Sequence, residues 1–191
     1  HNDSDIAPAF NEKLNEKEKM LNQQLQVLIE ADSVEGVFNQ IIHDNELNGI
    51  SVYGFEKNML TYWSNSTVSF NDINDFSDTN GVVLLKDGFY QYLKKQRNHQ
   101  TFLGLILIKS EYAIQNNYLK RGVHPSFGIT DDVEISIDDV AKGTVIKDLN
   151  GTRLFSMQIS PKNYKSSDWL SIIIYFLGVV LLVLFVYRYV K

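Results

Sequence analysis

The chain contains no cysteine. That absence excludes a disulfide framework, a thiol nucleophile and any cysteine-ligated zinc or iron–sulfur centre. It also weighs against a eukaryotic cell-surface domain, which is commonly disulfide-stapled, whereas a bacterial envelope protein can do without such bridges. A basic surplus is missing as well. Against 23 Asp and Glu stand 18 Lys and Arg, a formal net charge of −5 with a pI near 5.3. Nucleic acid binding needs a basic face, so no nucleic acid partner is expected. No long run of one charge, internal repeat or low-complexity segment is evident. The first residue is His1 rather than Met and no signal peptide pattern follows it, so a fragment of a longer protein is expected.

Site chemistry is sparse. His1, His43, His99 and His124 each lack a metal-ligand neighbour at helical or hairpin spacing. The acidic cluster Asp131, Asp132, Glu134, Asp138 and Asp139 lacks the alternating oxygen ligands and the glycine of a calcium-binding loop. No Ser/His/Asp arrangement carries a nucleophile signature. This stretch of chain is therefore expected to be non-catalytic, with no metal and no cofactor of its own. Asn65-Ser66-Thr67 and Asn150-Gly151-Thr152 fit the N-glycosylation pattern, which is short enough to recur by chance.

What is present divides the 191 residues into one domain and an anchor. From Trp169 to Tyr187 the chain reads WLSIIIYFLGVVLLVLFVY, 19 residues without a charge. As a helix this is roughly 28 Å long, near the hydrocarbon thickness of a bilayer. Trp169 at one end and Tyr187 and Tyr189 at the other stand where aromatic belts form. The alternative, a buried core helix, is disfavoured because core helices rarely run so long without a polar face. Lys162 and Lys165 precede the run, and Arg188 and Lys191 follow it. Positive charge therefore does not decide the orientation.

Residues 1–9 carry no periodic signal and are expected to fray. Phe10 to Asp32 is helical in pattern, with Phe10, Leu14, Leu21, Leu25 and Leu28 on one narrow stripe opposite a dense charged face. Such a stripe fits packing on the chain's own domain or pairing with a second copy, so a homodimer is expected. Ser33 caps a second short helix with Val34, Val37, Phe38, Ile41 and Ile42 inward, broken at Asn45 to Asn48. Gly49–Phe55 and Met59–Trp63 flank Glu56-Lys57-Asn58 as a hairpin. Ser64 to Asn80 reads as a polar excursion. Val82–Leu85 ends at a Lys86-Asp87-Gly88 turn, with glycine where a positive φ is cheap. Phe89–Lys95 and Thr101–Lys109 follow; the latter is apolar on both faces and is expected to be central. Ser110 to Leu119 reads as helical and Gly122 to Phe127 as a loop. Gly143–Lys147 and Arg153–Ile159 close the domain as a hairpin through Asp148-Leu149-Asn150-Gly151.

The expected fold is α+β: N-terminal helices, then a mostly antiparallel sheet of about five strands as in PAS-like modules, then one C-terminal transmembrane helix. The expected divisions are 1–32 as a signalling helix, 33–167 as the sensor domain and 168–191 as the span and the start of a cytoplasmic segment. Tyr62, Trp63, Ser64, Tyr112, Asn116 and Tyr118 are candidate ligand-binding residues, because an aromatic wall with a few amide and hydroxyl groups is a common pocket design. The competing reading has Trp63, Tyr112 and Tyr118 filling the core.

Five segments resemble the periplasmic region of transmembrane sensor histidine kinases of the Bacteroidetes group. FNEKLNEKEKMLNQQLQVL (Phe10 to Leu28) is similar to the helix after their first span, and Leu60-Thr61-Tyr62-Trp63-Ser64-Asn65 resembles an "LxYWS" strand end. Val83 to Tyr90 is similar to a pattern ending "NGWY", from which Asp87 and Phe89 depart. Leu105-Ile106-Leu107-Ile108-Lys109 with Tyr112 and Asn116-Asn117-Tyr118-Leu119 resembles "LIxIKxxYxxxNxYL", and Asn150 to Phe155 is close to "dGxxLFs". The similarity covers most of residues 10–190. It implies a main domain in the periplasm, anchored in lipid at the inner membrane and sensing an unspecified small-molecule or protein stimulus. It also implies further parts not contained in this sequence: an upstream span, a phosphoacceptor-histidine hairpin and a kinase domain, with ATP, Mg and a response regulator as that domain's cofactors and partner. An anchored binding or scaffold protein without a kinase, and a receptor with another output, are the alternatives.

Overall fold

The computed structural model describes residues 3–45, 48–66, 68, 70, 72–76, 78–111, 121–129, 133–137, 143–159 and 169–189; the side chains of 3–5, 42–44, 169–172 and 183–184 lie outside the description. The chain divides into two compact units, His1–Ile159 and Ser160–Lys191.

The first unit is α+β. Among the described residues, helix α1 (Asp3–Glu30) and helix α2 (Val34–Asn45) precede nine strands: β1 (Ile50–Glu56), β2 (Met59–Trp63), β3 (Asn80–Leu85), β4 (Gly88–Arg97), β5 (Gln100–Ser110), β6 (Gly122–Val123), β7 (Val133–Ser136), β8 (Thr144–Lys147) and β9 (Arg153–Ile159). All described pairings are antiparallel. The larger sheet runs β2-β1-β5-β4-β3, with β6 paired to the end of β5, and the smaller runs β7-β9-β8. β5 is central, as its two-sided apolarity requires, and is buried along most of its length.

α1 starts earlier than its charge pattern implies. Ala7 continues the stripe upstream at the same three-to-four spacing and is buried, and Ile6 packs beside it, so the segment expected to fray is helix from Asp3. Phe10, Leu14, Leu21, Leu25 and Leu28 are at most 1% exposed, and α1 packs on β4, β5 and β8. The stripe is thus buried inside the chain, the first of the two uses its pattern fits. Its close seat depends on Gly104 of β5: a Cβ there would lie 2.7 Å from Leu21 Cδ2 and 2.8 Å from its Cγ. α2 lays Val34, Phe38 and Ile41 against α1 and β1, and Asn45 exchanges two amide hydrogen bonds with Gln24 of α1 at 2.9 and 3.0 Å.

The β1–β2 turn has Lys57 at φ 49 and Asn58 at φ 66, the paired positive values of a type I′ hairpin. Gly88 does not follow the expectation. It is not among the positive-φ glycines; it pairs with Ser110, and a Cβ would collide with the Lys109 carbonyl. Close approach, not turn geometry, fixes this glycine.

One sheet of about five strands under helices on one face was expected, and the structure departs from that twice. A second sheet forms from β7, β8 and β9, joined to the first where Lys109 Nζ donates to the Val133 carbonyl at 2.6 Å. The sheet face opposite the helices is also covered, by the excursion between β2 and β3. That segment carries Phe70, Ile73 and Phe76 among its polar residues. A ladder of edge-to-face rings runs Tyr53–Phe70 (5.1 Å), Phe70–Phe76 (5.5 Å) and Phe76–Tyr92 (5.1 Å) across it. The helical reading of Ser110 to Leu119 falls mostly on residues outside the description. So do Asp131, Asp132, Asp138 and Asp139 of the acidic cluster, while Glu134 sits in β7.

In the second unit, α3 (Trp169–Tyr189) has 21 residues. Its described large apolar side chains are 46–76% exposed. Among the described residues no helical run is long and apolar enough to cross a membrane; side-chain description of α3 is confined to 173–182 and 185–189.

Candidate functional site

Strand β2 places its side chains by an irregularity. Tyr53 pairs with Trp63 and Gly54 with Tyr62, but Phe55 pairs with Leu60, leaving Thr61 as the extra residue of a β-bulge. The bulge is closed by Thr61 Oγ1 donating to the Gly54 carbonyl at 3.0 Å. Strict alternation would send residues three apart to opposite faces. The extra residue instead brings Leu60 and Trp63 to the same face, that of Tyr53 and Phe55.

These four residues, with Val68, Phe70 and Ile73 from the excursion, line a pocket of about 600 Å³. That lies inside the range of small-molecule sites. Tyr53 and Phe55 are buried, whereas Trp63 is 55% exposed and Leu60 46%. Asn58, Asn65, Ser66 and Asp72 contribute the polar lining. The Tyr53 hydroxyl donates to the Asn65 carbonyl at 2.9 Å, and burial above all pushes its pKa up to about 12, so it stays an uncharged donor. Asp72 Oδ1 accepts from the Asn74 N–H at 2.9 Å, which holds the rim in a short 3₁₀ turn, Ile73–Asp75.

Of the six residues expected to bind ligand, Trp63 lines this pocket. Tyr62 points to the helical side, its ring 5.4 Å from that of Phe38. Ser64 is tied up locally: its Oγ accepts from the Val52 N–H at 2.8 Å, and its own N–H donates to the Val52 carbonyl at 2.9 Å. Tyr112, Asn116 and Tyr118 lie outside the described residues. Sequence reasoning missed Tyr53, Phe55, Leu60, Phe70 and Asp72. Tyr53 and Phe55 were accessible from alternation in GISVYGF, but Leu60 needed the bulge and Phe70 sits in a polar context.

A second recess of similar volume, between α1 and strands β3 and β4, is bridged by its own side chains. There Lys95 Nζ donates to Gln26 Oε1 at 2.6 Å and Arg97 Nη1 to the Ile29 carbonyl at 3.1 Å. Beneath it, Asn80 Nδ2 donates to Asp148 Oδ2 at 3.0 Å and to Glu18 Oε1 at 3.4 Å, and the Leu149 N–H donates to Glu18 Oε2 at 3.2 Å. Burial raises the Glu18 pKa, and Asp148 adds to the rise against the hydrogen bonds from Gln91 and Leu149. Gln91 Oε1 is buried with no hydrogen-bond partner among the described residues. This assembly ties α1 to the sheets. The aromatic pocket is the better candidate ligand site because aromatic side chains from three segments line it, whereas the recess is crossed by hydrogen bonds between its own residues.

Among the described residues no group of three or more His, Asp or Glu is placed to hold a metal ion. Comparison with known protein families, curated proteins and solved structures finds no match to this chain.

Proposed function

We propose that this chain is the extracytoplasmic sensing part of a bacterial membrane receptor, held by α3 as a single transmembrane helix. The observation that carries the reading is the uncharged stretch Trp169–Tyr187, 19 residues lying within one helix whose described apolar side chains are exposed. An uncharged apolar run of this length on one helix fits a hydrocarbon environment better than a place in a globular core, which supports the reading. One helical layer over an antiparallel sheet supports the PAS-like reading, and the aromatic pocket on the opposite face supplies a place for a stimulus to act. A ligand there must favour one packing of the domain over another for any signal to leave it. By the sequence resemblance, the domain lies in the periplasm and the output is a histidine kinase with its own ATP and Mg, acting on a response regulator.

The test is fractionation of the full chain expressed in a bacterial host. The unmodified chain stays in the membrane pellet through an alkaline wash. Leu177→Arg with Leu181→Arg releases it, because arginine near a helix centre costs about 2.5–3.5 kcal/mol apiece. With a cleavable secretion signal placed ahead of the chain, a single cysteine at Asn58 reacts in intact cells with a maleimide that crosses the outer but not the inner membrane. An unmodified chain recovered as a water-soluble monomer refutes the proposal.

A further inference from the structure

We infer that the pocket between β1, β2 and the excursion takes a small organic cation, an amine or quaternary ammonium with an apolar body. The inference rests on reading this pocket as the sensing site. Three observations support it. The lining has aromatic residues from three segments: Tyr53 and Phe55 from β1, Trp63 from β2 and Phe70 from the excursion. Aromatic faces attract cations through the ring quadrupole, and clusters of them are the usual receptor for quaternary ammonium groups. The charge present has one sign: Asp72 is the sole charged residue among the described lining residues, and no Lys, Arg or His is among them. An anionic ligand would meet the Asp72 carboxylate with no Lys, Arg or His among the described lining residues, at a site whose one phenol inside, Tyr53, is neutral and already donates to Asn65. Finally, Trp63 is exposed although large, so its ring has room to cover a ligand.

A free cation and a lipid headgroup share the ammonium chemistry. Among the described lining residues there is no cationic side chain for the phosphate of a headgroup, which favours the free cation.

The full chain in maltoside micelles is titrated by calorimetry with benzyltrimethylammonium, benzyl alcohol and phenylacetate, and separately with choline and phosphocholine. The expected result is benzyltrimethylammonium binding with a Kd below about 1 mM and at least about tenfold tighter than the neutral and anionic compounds. Choline binds more tightly than phosphocholine. Trp63→Ala weakens the cation about tenfold, and Asp72→Asn weakens it several-fold, more so at low salt. Asparagine still accepts the Asn74 N–H, so that variant removes charge without removing the cap. Circular dichroism confirms that both variants fold. Absence of cation binding, phenylacetate or benzyl alcohol binding as tightly, phosphocholine matching choline, or unchanged affinity in both variants overturns the inference. Tight neutral or anionic binding by a membrane-anchored chain would leave the receptor reading standing. Loss of anchoring in the fractionation test would sink that reading whatever the pocket binds.

Discussion

The seat of α1 on β5 can be tested by a pair of substitutions at one contact. Leu21 is fully buried and lies over Gly104, where an added methyl would sit 2.7 and 2.8 Å from Leu21 Cδ2 and Cγ; ordinary contact begins near 3.4 Å. Leu21→Ala leaves a cavity and costs about 2–5 kcal/mol. Gly104→Ala overpacks the interface at about 1–3 kcal/mol, offset by about 0.5–1 kcal/mol because alanine has less backbone freedom to lose in a strand. Combined, the new methyl enters the space that the leucine vacated. The double variant is therefore expected to be more stable than Leu21→Ala alone, with a favourable coupling of at least about 1 kcal/mol. Urea unfolding of the full chain in maltoside micelles, followed by far-UV circular dichroism at constant m-value, measures all four corners of the cycle. Costs that add to within about 0.5 kcal/mol would show that the two residues do not meet, and the placement of α1 would be wrong.

Acid is expected to weaken the domain through His124. Burial, with the Lys17 charge adding to it, lowers this imidazole's pKa below the ordinary 6.5. The folded state therefore resists protonation: stability is full above about pH 6.5 and is lost as pH falls through the depressed folded value. His124→Gln flattens that part of the stability–pH curve; an unchanged acid limb means that another group is responsible. Glu18 works in the opposite direction. Its raised pKa favours the protonated folded form, so its contribution is full below the unfolded value near 4.5 and fades as pH rises through the folded one. Glu18→Gln should lessen that loss in urea titrations from pH 4 to 8, and an identical profile would refute it. Lys109→Met strands the Val133 carbonyl and should cost about 1–3 kcal/mol, with faster amide exchange across β7 than across β1. Equal protection in the two strands would show that the link between the sheets lies elsewhere.

Much of the framework was legible because burial and periodicity agree in it. The α1 stripe, the first β-hairpin, the central β5 and the closing hairpin each follow from spacing and turn chemistry that tertiary contacts do not override. The start of α1 was not legible, since Ile6 and Ala7 are too few to make a period without the sheet beneath them. β7 is short and follows an acidic run that reads as solvent-facing. The aromatic pocket was half-legible. Trp63 stands out in the sequence for its chemistry and lines the pocket, but adjacency in the chain hides that Tyr62 takes the helical side and that Ser64 bonds to the β1 backbone. Phe70 could not be placed, because a lone aromatic among Ser, Asn and Asp shows no pattern until something covers it.

The extra residue in β2 has a consequence for how such a site changes over generations. Deleting the single codon for Thr61 would leave Leu60 opposite Phe55 and Trp63 opposite Tyr53, so the roster of side chains on that face would survive intact. What would go is the local coiling that the insertion gives the edge. The cleft would flatten while keeping its chemistry. Shape and composition are thus separately heritable here, since losing this one residue would alter the cleft without exchanging any side chain that lines it.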